Sequence, residues 1–81
     1  MKIIIARLMQ VIETKPNYVT AARKYIGTDF RITRVIPRER GVFEKVNSEN
    51  YIATSTVKSV EITEENILVV TENTKYYFKV L

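Results

Sequence analysis

The chain has 81 residues, 46% of them hydrophobic and 27% charged, with only 2 Gly and 2 Pro. That composition fits one small domain spanning 1–81 and excludes a long flexible linker or a low-complexity tract. His and Cys are absent and Asp29 is the sole aspartate, which excludes disulfides, thiolate zinc sites, thiol nucleophiles and imidazole acid–base chemistry. The net charge of +4 is unevenly placed: residues 1–40 carry nine Lys or Arg against three acids (+6), and 41–81 carry four against six (−2). Such asymmetry points to an anion-binding face and excludes an acidic imitation of DNA.

In chain order, segment 2–12 reads as a long strand, although Ile4, Leu8, Val11 and Ile12 also satisfy helical spacing, and both readings stay open. Arg7 interrupts its apolar run and no small-residue cleavage site follows, so neither a signal peptide nor a membrane span is expected. Between Asn17 and Gly27, the residues Tyr18, Val19, Ala22, Tyr25 and Ile26 form one apolar stripe, predicting a short helix near 18–26 with Asn17 as N-cap and Gly27 as stop. "DFRITRVI" (29–36) alternates cleanly at Phe30 and Ile32, then loses its alternation at Arg34–Val35–Ile36, which predicts a bulge near Arg34. Pro37 ends that strand and "GVFEKV" (41–46) begins another.

The second half predicts a three-stranded antiparallel meander. "YIATSTVKSVEI" (51–62) puts Val60 and Ile62 on one parity. "ILVVT" (67–71) reads as a strand buried on both sides. The "ENT" turn follows, with Asn73 tolerant of positive φ. In "KYYFKVL", Tyr76, Phe78 and Val80 share one face while Lys75 and Lys79 take the other. The expected fold is mainly β (α+β): a small antiparallel sheet curled into a partly open barrel, SH3-like or OB-like, with one short helix.

Chemistry is sparse. Glu64 and Glu65 fall in a turn, where solvation explains them better than magnesium binding. The glycines are isolated, at 27 and 41, and build no phosphate loop. No catalytic residue, metal or cofactor is predicted. The stretch "RITRVIPRER" (31–40) is the exception. Arg31, Arg34, Arg38 and Arg40, with Arg23 and Lys24 upstream, suit bidentate contact with phosphates. Tyr18, Tyr25 and Phe43 flank this cluster and would stack on bases if exposed. Asp29, Glu39 and Glu44 oppose it as local neutralisers.

The segment "TSTVKSVEITEENILVVTENTKYYF" resembles the closing part of short proteins of bacteriophages and mobile elements in Gram-positive bacteria. There a TS-x-V strand precedes a T-x-N-x-x-Y hairpin, carried here by Thr54, Ser55 and Val57, then Thr71, Asn73 and Tyr76. That resemblance implies an accessory or anti-defence protein, for example of anti-CRISPR type, that inhibits a host protein by binding it. From the residues themselves, the expectation is a non-enzymatic, cytoplasmic, basic binding module contacting nucleic acid, with a homodimer through a sheet edge as a further option.

Overall fold

The β-branched and aromatic segments fold into six strands in a computed structural model that describes residues 4–17 and 19–81. These are β1 (Ile4–Glu13), β2 (Asp29–Arg34), β3 (Arg40–Lys45), β4 (Tyr51–Ile62), β5 (Asn66–Thr71) and β6 (Thr74–Val80), with a 3-10 helix at Ala21–Tyr25 between β1 and β2. Each strand pairs antiparallel with the next, and β1 pairs with β6, so the sheet closes in a ring instead of staying partly open. The protein is therefore mainly β.

Two long strands make the closure. β1 pairs through Ile4–Arg7 with β2 and through Ala6–Glu13 with β6. β4 pairs through Tyr51–Thr56 with β3 and through Val57–Ile62 with β5. The ring thus has two halves: β2 and β3 with the first parts of β1 and β4, and β5 and β6 with the second parts. The charge asymmetry of the sequence maps onto these halves, since the arginine-rich stretch lies in the first.

Inside the ring, Phe43 stacks edge-on against Phe78 at 4.9 Å and Tyr76 at 5.2 Å, and Phe30 meets Phe78 at 6.3 Å. Leu8, Val57, Ile67 and Val69 complete the packing. Each such side chain withdrawn from water contributes about 1.5–3 kcal/mol, which makes this aromatic cluster the main stabilising feature of so short a chain. Phe43 is 0% exposed, so its expected role in base stacking is overturned.

The ambiguity of segment 2–12 resolves as strand, with residues 2 and 3 outside the described set. Its register shifts between Leu8 and Gln10. An extra residue there moves the inward positions from Ala6 and Leu8 to Val11, a spacing of three that mimics a helical pattern. The bulge expected near Arg34 is present, between Ile32 and Arg34. The C-terminal meander also forms as read.

Three readings need correction. The helix shrinks to five residues of 3-10 type, capped by Thr20, whose hydroxyl accepts the Ala22 N–H at 3.3 Å. Asn17 instead adopts φ 60, Val19 is 77% exposed, and Tyr18 lies outside the described residues. The β-branched Val19 and Thr20 resist helix entry, and Gly27 at φ 92 ends the turn too soon for a full α-helix. β5 is buried on one face only: Ile67, Val69 and Thr71 point inward, while Leu68 and Val70 are half-buried outside. Finally, Asn73 takes no positive φ, because the β5–β6 turn is closed by the Thr71 hydroxyl, which accepts the Thr74 N–H at 3.1 Å. No helix among the described residues is long and apolar enough to cross a membrane.

Candidate nucleic-acid interface

Alternation along β2 and β3 puts Phe30, Ile32 and Phe43 inside and sends Arg31, Arg34 and Arg40 outward. Closure then decides what each cation meets. Arg31 faces Glu44 as its direct cross-strand neighbour and pairs with it at 3.5 Å. Arg34 pairs with Glu39 at 2.7 Å across the β2–β3 connection. Arg23 chelates Glu13 and also donates to the Val11 carbonyl at 3.0 Å. Outside the predicted set, Arg7 pairs with its cross-strand partner Asp29 at 2.8 Å.

Glu13 is strongly perturbed. The Arg23 guanidinium hydrogen-bonds its carboxylate and, with backbone N–H groups helping and desolvation opposing, lowers its pKa to about 2. Its side chain is only 11% exposed. This pair fastens the 3-10 helix to the end of β1, a structural task that competes with phosphate contact.

The remaining three candidates have no carboxylate partner among the described residues. Arg40 donates through Nε to the Thr54 carbonyl at 3.0 Å, which fixes its stem and leaves its terminal amino groups for a ligand. Arg38 occupies the turn after Pro37 with φ 76, a left-handed conformation that suits glycine or asparagine better than arginine. Its backbone is held there by Arg38 N–H donating to Val57 O at 2.8 Å and Val57 N–H donating to Glu39 O at 2.8 Å. Lys24 has its ammonium 5.2 Å from the centre of the Tyr25 ring.

The six predicted residues therefore do not form one patch. Arg34, Arg38 and Arg40 gather near the start of β3 and Lys24 near its end, with the Arg31–Glu44 pair between, whereas Arg23 turns to the end of β1. Five residue steps along a strand span about 17 Å, the length of roughly five phosphates on one strand of a duplex. Six cations less three paired carboxylates leave this surface with a charge of +3. Exposed ion pairs are worth only about 0–1 kcal/mol, so a phosphate can displace a carboxylate, but little charge is gained by the exchange.

Sequence reasoning missed Lys45 and Tyr51. The Lys45 ammonium lies 5.3 Å from the centre of the Tyr25 ring, which it shares with Lys24, and Tyr51 is 64% exposed at the start of β4. Parity along "YIATS" carries the signal for Tyr51: Ile52 and Thr54 face inward, which sends Tyr51 and Ala53 out. Lys45 had none, because its neighbourhood is set by the 3-10 helix. No family model, curated protein or solved structure matches this chain.

Proposed function

We propose that this protein is a non-enzymatic binding module that contacts nucleic-acid phosphates through the cations of its first half-ring. The observation that carries this reading is the set of cations left without carboxylates there, Lys24, Arg38 and Arg40, with Lys45 added by the fold. Arginine held in a left-handed turn supports it, because an unfavourable backbone retained at an exposed cation is most simply explained by what the side chain contacts. Lys58, Lys75 and Lys79 are also unpaired, but they share the other half with Glu61, Glu64, Glu65 and Glu72. A binding role in place of catalysis is supported by the absence of His and Cys. Six antiparallel strands in sequential order support reading the ring as a small up-and-down barrel of SH3-like or OB-like size.

The test is fluorescence anisotropy with a labelled oligonucleotide at low salt, comparing Arg38→Ala with Arg31→Ala. Arg38→Ala is expected to weaken binding severalfold and Arg31→Ala by much less. Equal effects would sink the assignment of binding to the unpaired cations.

A second reading, an accessory or anti-defence inhibitor docking on a host protein, is favoured by the outer face of the other half-ring. Met9 is 50% exposed there, beside Leu68 and Tyr77 in a shallow groove. A pull-down that survives nuclease treatment and is lost with Tyr77→Ala supports this alternative. Sheet-edge dimerisation is less favoured, since ring closure gives every strand two neighbours.

A further inference from the structure

The side of Tyr51 on which a ligand would lie is decided by charge. Tyr51 borders two shallow grooves. One is lined by Arg31, Val42, Glu44, Ser48 and Glu49, two acids against one base. The other runs between the 3-10 helix and β4, lined by Lys24, Tyr25, Ile52 and Ala53 among others, and holds no carboxylate. Lys45 reaches the rim of this second groove through the Tyr25 ring, which it shares with Lys24. Both ammoniums therefore rest on one ring, which is itself edge-on to Phe30 at 6.4 Å.

We infer that the groove between the 3-10 helix and β4 binds single-stranded nucleic acid, with a base stacked on Tyr51 and the adjoining phosphates on Lys24 and Lys45. The inference rests on the phosphate-binding reading above and adds to it the strand type and the stacking residue. An exposed aromatic ring beside unpaired cations is the pairing that single-strand binders use, because every base offers a π-face and every nucleotide a phosphate. A duplex keeps its bases stacked on one another and cannot use Tyr51. Glu44 and Glu49 repel the backbone from the opposite groove, so the strand is steered to one side of the ring. The Tyr51 side chain makes no hydrogen bond and no ring contact among the described residues, so its exposure serves no packing purpose.

The test uses a labelled oligothymidine of about ten nucleotides and a labelled hairpin duplex, titrated at low salt with the full chain. Tyr51→Ala is expected to weaken oligothymidine binding about tenfold and to leave the duplex affinity unchanged. Tyr51→Phe, which keeps the ring, restores oligothymidine binding to within about twofold. Unchanged oligothymidine binding by Tyr51→Ala overturns the inference, while the phosphate-binding reading survives if Arg38→Ala still weakens both ligands. Failure of the unsubstituted protein to bind either ligand overturns both.

Discussion

The Gly41 N–H donates to the Thr54 hydroxyl at 2.9 Å, and a Cβ on Gly41 would meet that same oxygen at 2.9 Å, with Val57 Cγ2 at 3.2 Å. The oxygen cannot withdraw, because it also donates to the Ser55 carbonyl at 2.7 Å. Gly41 is thus fixed by close approach between β3 and β4 at the bulge that splits their register between Arg40 and Val42. Gly41→Ala is expected to destabilise by about 1–3 kcal/mol, the usual consequence of overpacking. Chemical denaturation measures it, and a loss below about 0.5 kcal/mol would mean that the strands separate more easily than this contact implies.

The paired threonines of the β5–β6 turn predict opposite outcomes. Thr71 Oγ1 accepts the Thr74 N–H and donates to the Thr74 carbonyl at 2.9 Å, all of it buried. Thr71→Val leaves both groups unsatisfied and is expected to cost about 1–3 kcal/mol. The Thr74 hydroxyl is buried without a hydrogen-bond partner, so Thr74→Val, equal in shape, is expected to be neutral or stabilising. Thermal unfolding of the two variants side by side reads the contrast.

Arg38 sets stability against binding. At φ 76, glycine avoids the left-handed penalty of about 1–2 kcal/mol but gives back part of it as chain entropy. Arg38→Gly is therefore expected to leave stability unchanged or to raise it by up to about 1 kcal/mol, while weakening oligonucleotide binding. A destabilised Arg38→Gly would show that the side chain, not its ligand, holds the turn.

Glu13 sets an acid limit. Its folded pKa, near 2, lies below the ordinary value of 4.5, so the unfolded chain takes up the proton first. Its contribution is complete above about pH 4.5 and is lost as pH falls towards 2. Arg23→Ala is expected to flatten that part of the stability profile, read by denaturant titrations at a series of pH values. An unchanged slope would show that another group dominates acid unfolding.

Strand content was legible because alternation survives along β2, β3 and β6, and the bulge near Arg34 betrayed itself by a broken alternation. The bulge in β1 was not separable from a helix, since one inserted residue changes a spacing of two into a spacing of three at Val11. The 3-10 helix was overread because Ala22 and Tyr25 face the core at helical spacing while Val19 and Ile26 do not. Ile62 shows a further limit: its parity is inward, opposite Ile67, yet it is 60% exposed because β4 runs to the mouth of the ring.

For the site, residue type was legible and pairing only in part: Glu39 and Glu44 neutralise members of the cluster as expected, whereas Asp29 pairs with Arg7 and Glu13 takes Arg23. Glu13, Glu39 and Glu44 lie near their arginines in the chain or across a strand, but only closure and register decide which cations they neutralise. Tyr51 was legible in the local parity of β4, whereas Lys45 required the placement of the 3-10 helix, which no local pattern encodes.

The most direct measurement is the salt dependence of oligothymidine binding by the unsubstituted protein. Four available cations, Lys24, Lys45, Arg38 and Arg40, predict a slope of log affinity against log salt of about −3, or roughly 60-fold weaker binding for a fourfold rise in salt. A slope near zero, or no binding at low salt, would contradict a phosphate-contacting face.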